Sequence, residues 1–456
     1  MLEQVEQYIK DHETDFVDRL NTLLKIPSIS TASEHVGDIR KACDFVKDQL
    51  LAAGVETVVL ETAKHPAVFA DTGPSDGPTI LLYGHYDVQP PGDLSLWNTE
   101  PFEPTLRDGA IFARGSADDK GQAMCHLMAV EAWLKVAKKL PCRVKVLIEG
   151  EEEIGSPNLE KLTQDNLERL ACDIVVISDT SKFSADIPAL TAGTKGLVYK
   201  DIRITGPKQN LHSGCFGGTV ANPGNVLAKL IASMKDENNK ITFPGFYDDV
   251  VPVTGKELED IKALPFDDAQ YLKDVGSPAL DGERGYSTIE RKGVRPTLDV
   301  NGMYGGYMEE GAMTIIPRMC GAKVSMRIVP NQDAEKISKM FDEFVRANCP
   351  DTVKVEIDTH GVAAPYATPL DLPAVKAAVA AIERGFGKKP VFIREGGTIP
   401  IMALFKKHLK AESVLMGFSD PNCNLHGPNE FFHVSDYLAG IRSSACFFSE
   451  LAASAK

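Results

Sequence analysis

The sequence lacks the features that would assign it to a membrane, exported or nucleic-acid-binding class. Its 456 residues contain no run of about 18 apolar residues and no charged-then-apolar leader at the N-terminus. The formal net charge of -15 disfavours nucleic acids and anionic membranes as partners, because both favour clustered lysine and arginine. We therefore expect a soluble, cytoplasmic protein without a nucleic-acid or membrane partner.

Disulfide pairing and several common architectures are also disfavoured. The nine cysteines are odd in number and contain no CxxC pair, which favours free thiols in a reducing compartment. The sequence has no repeat, no low-complexity segment and no heptad run. No GxGxxG follows an early strand, so a Rossmann-like dehydrogenase is set aside.

The length exceeds what one ordinary hydrophobic core accommodates. Domains of more than about 250–300 residues usually divide. With 456 residues, of which 43% are hydrophobic, the chain can form two cores. We expect two domains, one of which interrupts or follows the other.

Three apolar runs are followed directly by carboxylates or imidazole. They are residues 79–84 before His85 and Asp87, residues 144–148 before the glutamates at 149 and 151–153, and residues 173–178 before Asp179. Such continuous runs predict strands covered on both faces of a parallel sheet. Between the first two runs, residues 113–121 predict a loop and residues 123–136 have the apolar spacing of a core-facing helix.

These strand ends predict a metal site. Open α/β sheets place their ligand sites outside the carboxyl ends of the strands, and imidazole and carboxylate are ligands of zinc and similar ions. A polar residue at any one strand end is typical of an ordinary loop, but the coincidence at three ends favours metal binding. In the pair His85 and Asp87, alternate residues share one side, so we expect the Asp87 carboxylate to hydrogen-bond the His85 ring.

Several longer motifs resemble the M20 family of metallopeptidases, especially its carnosinase-like and Cys-Gly dipeptidase branch. The resemblance covers nearly the whole chain, and its most specific segments are residues 83–88, 114–121, 149–156, 210–214 and 394–400. It implies an α/β fold, with a zinc-peptidase-type catalytic domain around a central mixed sheet and an inserted α+β lid or dimerisation domain. The implied boundaries are 1–193 and 365–456 for the catalytic domain and 194–364 for the insertion.

The resemblance also implies a centre of two divalent ions, zinc with manganese or cobalt as alternatives. One ion would be held by His85, Asp118 and Asp179, and the other by Asp118, Glu153 and His426. Glu152 would act as the general base for a shared water molecule, and Asp87 would support His85. The family also implies a cis peptide bond between Asp118 and Asp119.

Two of these assignments have close alternatives. Three consecutive glutamates leave the base and ligand uncertain by one position, and the family pattern Glu-Glu-x-Gly-Ser selects Glu152 and Glu153 over Glu151. His433 competes with His426, which is selected because Gly427 and the pair Asn429-Glu430 follow it. His126 falls within the apolar helical pattern, so we expect a buried, hydrogen-bonded core histidine.

The inserted region contains a further expected site residue, His212. Residues 196–204 alternate as a half-buried strand, and residues 222–234 have a helical pattern. In the family this region forms a lid and a homodimer interface, and the histidine that matches His212 stabilises the oxyanion, in this branch from the partner subunit. We therefore expect a homodimer with composite sites.

Substrate recognition is implied by three further residues. Arg327 matches a family arginine that binds a free carboxylate, with an exposed strand-edge arginine as the alternative. Gly396 and Gly397 would let backbone amides approach the same carboxylate, or would form a plain turn. These residues predict a dipeptidase. The alternatives are an N-acyl amino acid deacylase, a desuccinylase or a carboxypeptidase, and an inactive metal-binding scaffold.

Overall fold

The structure is a computed structural model that describes residues 1–454. Contacts between residues divide the chain into two units. The first comprises Met1–Ala192, Thr368–Ile393 and the residues from Leu404 onward, and the second comprises Gly193–Ala367 and Arg394–Ala403. The segment Arg394–Ala403 is therefore grouped with the second unit, although it lies beyond the insertion expected from the sequence.

The strands of the described chain are numbered in order. They are β1 Glu56–Leu60, β2 Ala67–Asp71, β3 Thr79–His85, β4 Thr105–Arg107, β5 Ala110–Phe112, β6 Arg143–Glu149, β7 Ile174–Ile177, β8 Ala189–Thr194, β9 Gly196–Thr205, β10 Leu211–His212, β11 Thr297–Gly305, β12 Ile315–Ile316, β13 Met319–Ile328, β14 Lys354–Ala363, β15 Tyr366–Ala367, β16 Val391–Glu395, β17 Glu412–Gly417 and β18 Phe431–His433.

The helices are numbered in the same way. They are α1 Leu2–Asp11, α2 Glu13–Leu24, α3 Val36–Ala53, α4 Lys120–Ala137, α5 Leu159–Asp165, α6 Leu167–Leu170, α7 Ser213–Phe216, α8 Pro223–Ser233, α9 Gly255–Ala263, α10 Asp268–Val275, α11 Thr288–Gly293, α12 Ala334–Asn348, α13 Pro373–Phe386, α14 Pro400–Leu409 and α15 Val434–Ser454. Short 3-10 helices occur at Ser33–His35, Leu94–Leu96 and Glu152–Ile154.

The main sheet is mixed and has a parallel centre. Its order is β1-β2-β6-β3-β7-β17-β8-β15, and β16 also pairs with β8. Strands β6, β3, β7 and β17 are parallel neighbours, whereas β1, β2 and β8 pair antiparallel. The three apolar runs are β3, β6 and β7, so their carboxyl ends meet at one edge. The expected α/β fold class with a central mixed sheet is confirmed.

Helix α4 begins directly after Asp119 and is buried from Lys120 to Trp133. Two glycines allow its close approach. A Cβ on Gly121 would lie 2.0 Å from the backbone oxygen of Ser116, and a Cβ on Gly84 in β3 would lie 2.7 Å from Oδ2 of Asp119. Any side chain at either position would therefore displace the loop that carries Asp118.

The second unit is built on a four-stranded antiparallel sheet of order β11-β13-β9-β14. The predicted strand and helix of this region are β9 and α8. Their apolar residues join those of α12 in a separate core, which includes Val198, Leu227, Phe243 and Phe341. Because α12 carries its apolar residues on one face, it can cover the sheet while its other face remains polar.

Cysteine chemistry agrees with the sequence-based expectation. All nine cysteines are free thiols, and only Cys215 is exposed. Among residues 1–454, no helix combines the length and the apolar character that a membrane span requires.

The core of the second unit gives a stability prediction. Phe341 is fully buried, and its ring lies 5.8 Å from that of Phe243 in an edge-on contact. Phe341→Ala should lower the free energy of unfolding by about 3–5 kcal/mol through lost burial and a cavity. Urea unfolding is the measurement, and exposed Lys339→Ala on the same helix is the control. Equal midpoints for the two variants would contradict this core assignment.

Candidate metal centre

The carboxyl ends of the parallel strands and the loop before α4 bring six of the predicted side chains together in the first unit. His85 is the last residue of β3, and Asp179 lies two residues after β7. Glu152 and Glu153 begin the 3-10 helix after β6. The other two, Asp118 and His426, lie in the loop before α4 and in the loop between β17 and β18.

The side chains form two groups that meet at Asp118. The Nε2 atom of His85 lies 3.1 Å from Oδ1 of Asp118, and Nε2 of His426 lies 2.9 Å from Oδ2 of the same carboxylate. Glu153 Oε2 is 3.3 Å from His426 Nε2, and Asp179 Oδ2 is 4.0 Å from His85 Nε2. The two oxygens of Asp118 therefore face two different histidines, as a bridging carboxylate requires.

Glu152 lies with His85 and Asp179. Ligand atoms of these three residues are within 4.8 Å of one another, as are those of Asp118, Glu153 and His426. Proximity alone allows Glu152 to contact an ion or a water molecule beside it. Its neighbour Glu153 faces the other group, so the two adjacent glutamates point to different groups.

The hydrogen bonding of His85 fixes the role of its ring nitrogens. Nδ1 donates to the backbone oxygen of Asp87 at 3.0 Å, so in the neutral ring Nε2 carries the lone pair. The expected partner was the Asp87 carboxylate, whose Oδ1 lies farther away, at 3.5 Å. That carboxylate instead accepts from the backbone N–H groups of Glu152 and Glu153, at 3.2 and 3.0 Å. Asp87 thus holds both His85 and the glutamate turn.

The site has an excess of buried negative charge. Burial raises the pKa of Glu152 well above its usual range, and nearby Asp179 and Asp118 raise it further against the opposing effect of His85. Burial also acts to raise the pKa of Asp118, but the neighbouring imidazoles of His426 and His85 outweigh it and lower the pKa. Hydrogen bonds to Asp118 and Glu153 raise the pKa of His426 to about 10. Four carboxylates around two imidazoles favour bound cations.

These residues fit a pair of divalent ions. His85 Nε2 is buried and makes no hydrogen bond, although it faces carboxylate oxygens. A buried nitrogen with a free lone pair, beside a cluster of carboxylates, is the donor set that zinc binds. The peptide bond between Asp118 and Asp119 is cis, as expected.

A buried ion pair holds together the loops that form this centre. The sequence alone did not assign it a role. Arg114 Nη1 donates to Glu430 Oε2 at 2.7 Å, and both side chains are buried. The Glu430 carboxylate also accepts from the backbone N–H groups of Gly115, Ala117 and Asp118, while Arg114 donates to the backbone oxygen of His426 at 3.0 Å. Both residues belong to motifs quoted above, and this position in the motifs was the only signal available.

The neighbouring alternatives have other partners. Glu151 accepts from the side chains of Thr62 and Asn158 and from the backbone of His65. His433 Nε2 lies 3.9 Å from Asp420 Oδ2 and is in neither ligand group. His126 is buried between the hydroxyl groups of Ser178 and Ser444, which confirms the expected core histidine.

The other predicted site residues lie in the second unit. His212 in β10 is exposed, and its Nδ1 accepts from the backbone of Gly214 at 3.0 Å. Arg327 in β13 is half-buried and donates to Thr398 Oγ1 at 2.6 Å. Gly396 lines the same cavity as Arg327, and Gly397 follows it.

Comparison with other proteins agrees with this geometry. Residues 81–450 match the family described as Peptidase family M20/M25/M40. The chain is 31% identical to human Beta-Ala-His dipeptidase, over 99% of this chain and 93% of that protein. It is also 31% identical to the Cys-Gly metallodipeptidase DUG1 of Candida albicans, over 95% of this chain and 94% of that protein.

Solved structures give the same result. Human carnosine dipeptidase 1 superposes with a TM-score of 0.82 at 30% identity, covering 99% of each chain. The M20 family metallo-carboxypeptidase Sso-CP2 of Sulfolobus solfataricus gives a TM-score of 0.86 at 32% identity, covering 96% of this chain and 99% of that one. These matches confirm the resemblance that the motifs indicate, and the chain belongs to Peptidase family M20/M25/M40.

Proposed function

We propose that this protein is a metallodipeptidase that hydrolyses the peptide bond of dipeptides with a free C-terminal carboxylate. The observation that carries the proposal is the position of Asp118 between His85 and His426, with Glu152 beside the group. The dipeptidase names of relatives that align over nearly the whole chain support this substrate class.

The proposed ligands of one ion are His85, Asp118 and Asp179, and those of the other are Asp118, Glu153 and His426. Two zinc ions, or manganese or cobalt in their place, would supply a polarised carbonyl and an acidified water molecule. Asp87 contributes by position: its backbone oxygen orients His85, and its carboxylate holds the backbone of the two glutamates.

Glu152 is the proposed general base. Its raised pKa suits a carboxylate that accepts a proton from water and later gives it to the leaving amine. His212 is the proposed donor to the oxyanion, and its exposed imidazole is free of a carboxylate partner among the described residues. Arg327, Gly396 and Gly397 are the proposed contacts of the substrate carboxylate.

We further propose a cytoplasmic homodimer in which the region 194–364 supplies the lid and the subunit interface. The family resemblance and the exposed position of His212 support a histidine that acts on the partner subunit's site. In the M20 family, a carboxypeptidase such as that of Sulfolobus solfataricus has the same fold, so carboxypeptidase activity is the second candidate. Deacylation, desuccinylation and an inactive scaffold are further alternatives.

Hydrolysis of a substrate panel tests the assignment. Metal-loaded protein should cleave dipeptides, lose activity with a chelator and regain it with Zn or Mn, because the buried carboxylates require cations. Product formation is measured by chromatography on dipeptides, tripeptides and N-acyl amino acids. Faster cleavage of tripeptides or N-acyl amino acids would favour a carboxypeptidase or a deacylase. Metal-replete protein inert on all three would favour the scaffold.

Substitution of the two adjacent glutamates separates their roles. Glu152→Gln should lower kcat by about 10²–10⁴-fold and retain both metals, because a general base is lost and no ligand is removed. Glu153→Gln is the matched variant, and it should lower the metal content. Elemental analysis with kinetics is the measurement. Loss of one ion from Glu152→Gln would contradict the base assignment.

Mixing of inactive variants tests the contribution of His212 across subunits. His212→Ala and Glu152→Gln chains, combined and allowed to exchange, should recover about a quarter of wild-type activity. Half of the dimers are then hybrids, and each hybrid has one intact site. Differently tagged chains verify the exchange. Verified hybrids without recovery would show that His212 acts within its own chain or not at all.

A further inference from the structure

Glu151 belongs to neither ligand group, although it directly precedes Glu152 and Glu153. The residue is only 1% exposed, so its carboxylate is removed from water. A buried carboxylate costs free energy unless hydrogen bonds or positive charges compensate for it, and an apolar side chain at this position would avoid that cost. The contacts of this carboxylate therefore indicate what the residue does.

Hydrogen bonds from two other segments of the first unit reach the Glu151 carboxylate. In the loop between β1 and β2, the Thr62 hydroxyl and the backbone N–H of His65 donate to Oε1, the second at 2.8 Å. Asn158, which directly precedes α5, donates to Oε2 from its backbone N–H at 3.3 Å and from Nδ2 at 2.8 Å. All of these donors are neutral groups. The carboxylate thus ties its own turn to both segments.

Asn158 uses its side chain on Glu151 and not on its own helix. It is the N-cap residue of α5, a position where an asparagine oxygen usually accepts from a backbone N–H of the first turn. The Asn158 side chain makes no such cap hydrogen bond. Its amide nitrogen lies within hydrogen-bond distance of both carboxylate oxygens of Glu151. A helix cap that is given up for a contact outside the helix is typical of a position under functional constraint.

The backbone of Glu151 also organises the turn that carries Glu152. Its backbone oxygen accepts from the N–H groups of Ile154 at 3.2 Å and of Ser156 at 2.8 Å. The next backbone oxygen, that of Glu152, accepts from Gly155 at 2.7 Å. Because the anchored side chain and these carbonyls belong to the same short turn, a movement of the Glu151 carboxylate would be transmitted to Glu152.

Two further carboxylates hold the same turn. Asp87, two residues after β3, accepts from the backbone N–H groups of both glutamates that follow Glu151. Glu149, the last residue of β6, accepts from the Ser156 hydroxyl at 2.9 Å. These contacts join the turn to the ends of β3 and β6, and Glu151 adds the contacts to the loop before β2 and to α5. The turn is therefore held at several separate points.

We propose that Glu151 is a positioning residue, which directs Glu152 to the group of His85 and Asp179 while Glu153 faces the other group. Its charge strengthens the hydrogen bonds that hold the turn, because bonds to an ionised acceptor are stronger than bonds between neutral groups. The inference deepens the proposed dipeptidase function and rests on it. It assigns to Glu151 neither a metal ion nor a proton-transfer step.

Removal of the Glu151 charge tests this role. Glu151→Gln should lower kcat on dipeptides about tenfold, change KM by less than about twofold and keep both metals, because a displaced base slows the reaction while every ligand remains. Kinetics with elemental analysis is the measurement, and exposed Glu168→Gln is the control with unchanged kcat. A residue that only stabilises the fold would lower the melting temperature and leave kcat unchanged. That result, or the loss of an ion, would overturn the inference.

A reciprocal pair of substitutions tests the contact with Asn158. Asn158→Asp alone should also lower kcat about tenfold, because two carboxylates would then face each other. In the double variant Glu151→Gln/Asn158→Asp, the glutamine amide can donate to the aspartate, so the hydrogen bond returns with donor and acceptor exchanged. The double variant should therefore recover kcat to within about threefold of wild type. A double variant no faster than either single variant would count against the proposed contact.

Hydrogen exchange on the full-length, metal-loaded protein separates this inference from the proposed function. The amides of Ile154 and Ser156 should exchange at least about tenfold faster in Glu151→Gln than in wild type, because the turn opens more often, and the amides of β6 should be unchanged. This result would support positioning even for protein that cleaves no dipeptide, in which case only the proposed reaction fails. Equal exchange in variant and wild type would overturn the inference, whatever the hydrolytic activity.

Discussion

The first unit is organised around the concentration of negative charge at the carboxyl edge of its parallel strands. Asp118, Glu152, Glu153 and Asp179 lie around two histidines, and burial makes the ionised form of Glu152 costly. Divalent cations resolve this conflict, because each can be shared among carboxylates that would otherwise repel one another. The buried, unpartnered Nε2 of His85 is consistent with the same requirement.

The surrounding fold keeps this repulsive arrangement in place. Three backbone amides of one loop, those of Gly115, Ala117 and Asp118, donate to Glu430, and Arg114 balances the charge of that carboxylate. Asp87 accepts from the backbone of the glutamate turn in a similar way. Buried hydrogen bonds to charged groups stabilise a fold more than hydrogen bonds between neutral groups. The bonds to Glu430 and Asp87 therefore oppose the repulsion between carboxylates that would otherwise separate the loops.

Much of the catalytic unit could be predicted from the sequence because its signals are local. The apolar runs gave β3, β6 and β7, and the residues after them lie together as parallel pairing requires. The choice of Glu152 and Glu153 over Glu151 came from family resemblance, since the spacing alone is ambiguous. The pair of Arg114 and Glu430 was not predictable, because 316 positions separate its members and no periodicity links them. The backbone bond from His85 to Asp87 was likewise missed, because a pattern of side chains does not report which carbonyl a ring nitrogen meets.

The two units differ in how tightly their candidate site residues are held. The proposed metal ligands all lie in the first unit, where hydrogen bonds hold His85, Glu153 and the backbone of His426. A cavity lined by Lys195, Arg327, Tyr271 and Leu272 lies in the second unit, and helix α10, which carries the last two, has no buried side chain. Substitution of Tyr271 or Leu272 should therefore change the shape of this cavity at low cost in stability, whereas substitution of a proposed ligand or of the Arg114–Glu430 pair disturbs a buried charge balance.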